Sequence, residues 1–481
     1  MKSIWEKEVE LSATDRKSRM DCVSGRYGEG GIRTKEPDAV RKDIIVIGAG
    51  MTGLLTAYFL QSRGRKVTVL EAGQIAGGQT GRTTAKITSQ HGMFYSKLIQ
   101  NVGMERALLY AKANEEAIRE YAQMIWRYKI SCDFERLPSY LYFMQGDTVG
   151  QLQKEAVEAV RLGLPAHFVE RLDLPFETCG AVCFDNQAQF HPLKFLKVIA
   201  HELEIYEHTP VRKVRGNCVY TSKGMLTANK IVFATHYPIA DVPGFYFLRQ
   251  HQERSYVVAL EGCKKLGGMY YTEDTNGLSL RSHGDILLLG GSSHRTGKNV
   301  GGGAYDTLRA AATKYFPEGR EVAHWSAQDC MPHDGIPFIG QYAWGKQDWY
   351  VATGYKKWGM STSMIAAKLL ADKITGVENP YERLFAPQRC LLKAGCGNFL
   401  LDAGESVKGL AGGWLTKRGG KDWNHVNGEL HPPRCSHLGC ELKWNPDEKS
   451  WDCPCHGSRY DEDGGKLDEP TRKDLCTSRS K

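Results

Sequence analysis

One run constrains the fold of this chain more than any other: Asp43-Ile-Ile-Val-Ile47, then Gly48-Ala-Gly50-Met51-Thr52-Gly53, then Leu54 to Arg63, Gly64, and Lys66-Val-Thr-Val-Leu70. The first apolar block reads as a buried parallel strand and the glycines as a tight turn. The next block reads as a helix stopped by Gly64, and the last as a second strand. This is a complete β-α-β unit, the core of a Rossmann-like α/β domain. Its turn has the spacing G-x-G-x-x-G, and the acidic Glu71 closes the second strand 18 residues after Gly53. That is the setting a dinucleotide needs. Gly48 makes the turn, Gly50 lets the backbone approach a pyrophosphate, and Gly53 permits close helix packing. Met51 and Thr52 open the helix whose N–H groups face the phosphates, and Glu71 is placed to hold ribose hydroxyls.

The rest of the chain divides around this unit. At 481 residues there is room for two or three domains. Residues 1–41 are polar and charged and read as an arm on the surface. Residues 42–385 mix helical stretches (Met104 to Arg127) with strand-like ones (Tyr140 to Met144, Ser255 to Leu260). Lys230 to Ala234 returns to the nucleotide-binding sheet, and Phe338 to Met364 reads as strand, loop, strand and glycine-led helix. Periodicity fades around Pro380 to Gly397, where the domain junction is placed, leaving 386–481 as linker and final domain. The net charge is +8, without a dense basic block interleaved with aromatics, so nucleic acid is not an expected partner. The amino terminus lacks the apolar core of a secretory signal, and the apolar stretch from Ile44 to Leu60 is core and not a membrane span. A cytoplasmic location with mostly free thiols is the expectation, and Cys179 and Cys183 have no matching metal-ligand box.

The final domain carries two boxes, Cys435-Ser-His437-Leu-Gly-Cys440 and Cys453-Pro-Cys455-His456-Gly-Ser458-Arg-Tyr460. Two thiolates and two imidazoles fit a [2Fe–2S] centre in which two His replace two Cys on one iron. The same ligand count fits tetrahedral zinc. Short C-x-H and C-x-x-H loops, neither in a finger-like helix, favour iron. So does the second cysteine of each box, Cys440 and Cys455, placed to cross-link the loops.

Residues 435–460 resemble the Rieske domain of the cytochrome bc type. The resemblance implies that Cys435 and Cys453 bind one iron and His437 and His456 the other. It also implies a Cys440–Cys455 disulfide, and hydroxyls of Ser458 and Tyr460 that hydrogen-bond to cluster or ligand sulfur. Residues 43–385 resemble the D-amino-acid-oxidase-like family of FAD-dependent oxidoreductases. The likeness rests on Gly77-Gly78-Gln79-Thr80-Gly81-Arg82-Thr83-Thr84-Ala85-Lys86, on Val211, on Pro332-His333-Asp334-Gly335-Ile-Pro337, and on Ala352-Thr-Gly354-Tyr-Lys-Lys-Trp358-Gly359. It implies a fold with an FAD-binding Rossmann-like domain, an interleaved antiparallel-sheet substrate domain, and a small all-β Rieske domain after them. It implies that Gly78, Thr80, Arg82, Thr83 and Thr84 run past the pyrophosphate to the isoalloxazine, and that the backbone of Val211 meets adenine. Gly335, Gly354, Trp358 and Gly359 are implied to approach the flavin ring. Thr84-Ala85-Lys86 replaces a two-glycine stretch of the family, and Tyr355 stands where the family often has His.

FAD and a [2Fe–2S] cluster are therefore the expected cofactors. A dehydrogenase acting on a small amine or amino acid is expected, with electrons leaving through the cluster to an acceptor the sequence does not identify. The alternative is an electron-transfer or redox-sensing protein fed by a partner; an oxygenase lacks a His/His/carboxylate iron set. Candidates for the substrate pocket are His91, Arg254, Tyr256, Tyr271, His283, His294, Lys356 and Trp358. Lys86, His91 and Lys356, inside or beside flavin-adjacent motifs, are the catalytic candidates. Substitutions at the two cofactor sites are expected to act independently.

Overall fold

The computed structural model describes residues 2–9, 40–144, 146, 148–275, 277–389, 425–426, 429–430 and 433–475. The β-α-β unit forms as its pattern requires. The strand Val40–Ile47 runs parallel to Val67–Leu70, in register from Ile44 opposite Val67 to Ile47 opposite Leu70, and the helix Met51–Ser62 joins them. Ile44, Ile45 and Val46 have no exposed surface, as expected for a parallel strand covered on both faces. The first sheet has eight strands and a central order of 338–341, 349–353, 224–233, 40–47, 67–70, 204–206. The helix Gly359–Thr375 packs beside Met51–Ser62 on one face of it.

The second sheet has nine strands and lies across the first domain as a largely antiparallel layer. Its edge is built from Arg320–Pro332, Gln250–Glu261 and Ile286–Arg295. The third sheet is a four-stranded antiparallel meander of 443–445, 450–452, 459–461 and 466–468. Its core is formed by Cys435, Cys440, Leu442, Cys453, Cys455, Tyr460 and Leu475. Among the described residues, no helix is long and apolar enough to cross a membrane.

The amino-terminal arm departs from expectation. Residues Ile4–Glu8 form a short helix, started by a capping box in which Ser3 and Glu6 satisfy each other's backbone N–H. Trp5 is wholly buried; its indole N–H donates to the Thr83 carbonyl at 2.7 Å, and its ring meets His191 and His283 edge-on. Burial of one large aromatic ring outweighs the charge of its neighbours. Residues 10–39 lie outside the described residues, and the junction expected around Pro380 to Gly397 is described only through Arg389, including the helix Glu382–Phe385.

Candidate functional site

A cavity of about 930 Å³ runs from the glycine turn to the second sheet, near the top of the usual range for ligand sites of about 300–1,000 Å³. Gly48, Gly50, Met51, Thr52, Glu71, Gly78, Thr80, Arg82, Thr83, Thr84, Val211, Gly354, Trp358 and Gly359 all line it. Gly53 does not; a Cβ there would lie 1.9 Å from the Gly48 carbonyl oxygen, so its role is the close crossing of helix and turn. The Glu71 carboxylate accepts the N–H groups of Ala49 at 2.7 Å and Gly73 at 2.8 Å, which aims it, while burial pushes its carboxyl up. Thr80 Oγ1 accepts the Met51 N–H at 3.0 Å and so ties the flavin segment to the helix start. Arg82 brings a cation to the cavity, and its Nε is buried without a hydrogen-bond partner. An orphaned guanidinium donor beside a helix amino terminus is what a pyrophosphate would satisfy. The residues fit FAD.

At the far end the catalytic candidates separate. Lys86 lines the cavity, with Nζ donating to the Tyr270 carbonyl at 3.0 Å and to Ser279 Oγ at 2.5 Å. Burial, with the nearby Arg281 charge, lowers its pKa to about 7. His91 is not in the cavity wall. Its two ring nitrogens meet Tyr110 Oη at 2.7 Å and the Thr88 carbonyl at 2.9 Å, and burial lowers its pKa to about 3. The neutral ring stacks on Trp358, centroids 4.9 Å apart, and so supports a wall residue from behind. Lys356 also turns away, its ammonium 4.6 Å from the Phe94 ring centre, and Gly335 packs beside it and not at the cavity. Lys357 takes the cavity position instead. Of the wider candidates, Tyr256, Tyr271 and Trp358 line the cavity. Arg254, His283 and His294 do not: they pair with Glu448, with Glu8 and with Tyr256 Oη. Asp329, Gln252, Gln328 and His236, none of them singled out from the sequence, also line it.

The two cysteine-histidine boxes fold as neighbouring loops. Cys440 and Cys455 form a disulfide with Cα atoms 6.7 Å apart, while Cys435 and Cys453 stay free and buried. Their sulfurs are close enough to share a proton: the Cys453 thiol, more than any other group, pulls Cys435 down to about 5. The His437 and His456 rings stand side by side, centroids 5.1 Å apart at 89°. His437 Nε2 meets Asp241 Oδ1 at 2.8 Å, and its Nδ1 is buried without a partner. Paired thiols, paired imidazoles and one orphaned ring nitrogen suit a [2Fe–2S] cluster, with Asp241 orienting one ligand from outside. Ser458 hydrogen-bonds to Cys435, and Tyr460 Oη lies 3.5 Å from its sulfur.

The cluster domain is bound tightly to the first domain. Gln252 Nε2 donates to the carbonyls of His456 at 2.7 Å and Glu469 at 2.9 Å, and Gln328 Nε2 donates to the Gly457 carbonyl at 2.9 Å. Gly457 has φ +86°, and a Cβ there would fall 2.6 Å from Gln252 Cβ, so only glycine allows this approach. Glu448 accepts from Arg254 at 3.0 Å, Tyr305 at 2.8 Å and Ser326 at 2.6 Å. Lys466, Asp468, Glu469, Arg472 and Asp474 of the cluster domain form part of the cavity wall itself.

This combination of a dinucleotide cavity with a histidine–cysteine iron-sulfur centre defines a flavin- and iron-sulfur-containing oxidoreductase. The chain belongs to the family of FAD dependent oxidoreductases, whose model matches residues 43–373, and it carries a Rieske [2Fe-2S] domain matched over residues 424–478. FAD and a [2Fe-2S] cluster are its cofactors. YhfW of Bacillus subtilis (strain 168), a Rieske 2Fe-2S iron-sulfur protein by name, is 34% identical over 470 residues, covering 90% of this chain and 92% of its own. Gamma-glutamylputrescine oxidoreductase of Escherichia coli (strain K12) is 23% identical over 366 residues, 70% of this chain and 85% of its own. The crystal structure of glycine oxidase from Geobacillus kaustophilus shares the fold with a TM-score of 0.63 at 17% identity, over 73% of this chain and 99% of that one.

Proposed function

We propose that the chain is a dehydrogenase that oxidises a small amine or amino acid at its FAD and passes the electrons one at a time to its own Rieske domain, their exit to an external acceptor. The supporting observation is the alternation of side chains along Arg320–Pro332. Ala327, Gln328 and Asp329 line the flavin cavity, while the side chains of Ser326 and Gln328 reach Glu448 and Gly457 of the cluster domain. Successive strand residues point to opposite faces. One strand thus borders both sites. The donor class is supported by relatives named for an amine and an amino acid, gamma-glutamylputrescine oxidoreductase and glycine oxidase.

When bound, FAD supplies a two-electron acceptor and the cluster a one-electron acceptor. The chain's own residues position the donor and manage its proton. An ammonium donor must become neutral before its C–H bond is oxidised, and Lys86, with a pKa near 7, has a neutral fraction at neutral pH whose Nζ can take that proton. Trp358, backed by the neutral His91 ring, gives the cavity a rigid apolar wall. Tyr355 Oη and Thr52 Oγ1, 3.0 Å apart, hold the glycine-led loop against the first helix.

The test is anaerobic mixing of the holoprotein with a panel of amines and amino acids, followed by flavin absorbance and by electron paramagnetic resonance of the cluster. Bleaching by at least one compound, with a reduced-cluster signal following, is the expected result. Its rate should rise with pH through about 7, the form of Lys86 that accepts a proton being the deprotonated one, and Lys86→Met should lose that limb. If no donor bleaches the flavin and a ferredoxin-type reductant does, the chain is an electron-transfer module and this reading falls.

A further inference from the structure

The cavity holds a carboxylate with nothing to bind. Asp329 lines it and makes no hydrogen bond or ion pair among the described residues. It stands directly opposite Glu253 on the neighbouring strand, where two like charges repel. One lysine serves both: Lys357 Nζ lies 3.1 Å from Glu253 Oε2. Glu253 also has His251 within 3.5 Å, and Arg254 on the other face of the strand is engaged by Glu448 and Asp468. Lys357 is thus the one ammonium that the two carboxylates share at the cavity surface. Burial pushes the Asp329 carboxyl up to about 6, so it is still mostly ionised at neutral pH. An ionised group left unpaired in a cleft is costly, and such costs are concentrated at sites that meet a ligand.

The cavity's cations are not similarly available. The Lys86 ammonium is already held by Tyr270 and Ser279, and the Lys357 ammonium by Glu253. Lys466, in the cluster domain, is held by Glu469 at 2.8 Å, and the arginines in the wall, Arg82, Arg212 and Arg472, belong to the dinucleotide end or to the cluster domain. At the second-sheet end, no arginine among the described residues is in place to clamp a substrate carboxylate, and one carboxylate is in place to receive a cation.

We propose that Asp329 is the specificity-determining residue of the site: it receives a cationic nitrogen of the donor, so that the substrate is an amine without a carboxylate and not an amino acid. This rests on the reading of the chain as an amine or amino-acid dehydrogenase, and it narrows that reading.

Two ions of similar size separate the alternatives. The full-length holoprotein is titrated anaerobically at pH 8 with butylammonium chloride or with sodium butyrate, and the concentration dependence of any change in the flavin spectrum is read. One charge-assisted hydrogen bond of roughly 1.5–3 kcal/mol corresponds to about 10- to 100-fold in affinity. Butylammonium should therefore act at concentrations about 10- to 100-fold below butyrate. Asp329→Asn should abolish that preference, and Asp329→Glu, which keeps the charge, should retain it. Equal or tighter action of butyrate on the unaltered protein, no response to either ion, or an unchanged preference in Asp329→Asn overturns the assignment. The comparison on the unaltered protein stands even if a variant fails to fold. It is also independent of turnover: amino acids bleaching the flavin while butyrate outcompetes butylammonium would sink the role of Asp329 and leave the dehydrogenase standing, whereas no bleaching by any donor would sink the dehydrogenase itself.

Discussion

Two hydroxyls converge on the sulfur of Cys435. Tyr460 Oη accepts the Ser436 N–H at 2.9 Å and lies 3.5 Å from Cys435 Sγ, and Ser458 Oγ accepts the Thr471 N–H at 3.1 Å, which leaves its hydrogen for the same sulfur. Hydrogen bonds to sulfur stabilise the extra negative charge of a reduced cluster. Each is worth roughly 1.5–3 kcal/mol if charge-assisted. With about 59 mV per tenfold for one electron, Ser458→Ala and Tyr460→Phe should each lower the midpoint potential by about 60–130 mV. Redox titration of the cluster signal measures it, and unchanged midpoints in both variants would remove these hydroxyls from the account. This end of the molecule was legible from sequence because the residues involved lie in two short loops, where spacing nearly dictates geometry. Asp241 was not legible: nothing near it in sequence points to His437, 196 residues away.

At the scale of elements, the helix Ile4–Glu8 shows how a polar-looking segment becomes structural. Its Ser3–Glu6 capping box starts the helix, and a single aromatic residue supplies the burial that the polar composition of residues 1–41 concealed. Trp5→Ala should destabilise the protein by about 3–5 kcal/mol. It should also loosen FAD, since Trp5 bonds to Thr83 of the flavin segment and Glu6 lines the cavity. Thermal unfolding and FAD release on gel filtration report the two effects, and normal FAD retention would show the helix to be packing alone. The glycine turn, by contrast, was read correctly from sequence because strand, turn and helix are contiguous. The exchange of Lys356 for Lys357 was hidden because both residues adopt left-handed backbone, φ 51° and 67°, after Gly354. That local twist turns one side chain out and the next in. Asp329 was hidden for another reason: which face of a strand meets a cavity depends on the layers packed against it, not on the strand's own pattern.

In the whole molecule, the two cofactor sites share walls, which argues against the expectation that they respond independently. Glu448 of the cluster domain is the counter-charge of Arg254, which has no exposed surface. Removing one partner of a buried ion pair costs about 3–5 kcal/mol. Glu448→Ala should therefore release both FAD and iron more readily, measured as FAD and iron per chain after desalting; loss of iron with FAD fully retained would restore the independent-domain picture. The seating of Trp5 carries a further consequence, in time and not in space. Its socket is built from Thr83, His191, Arg281 and His283. At roughly 5–20 residues per second of synthesis, the helix Ile4–Glu8 waits on the order of 15–55 s for its seat to exist. The cavity's last wall, ending at Asp474, arrives later still. The cavity is therefore complete only once residue 474 has been made, and nascent chains that stop short of the cluster domain are expected to hold FAD less tightly than chains that include it.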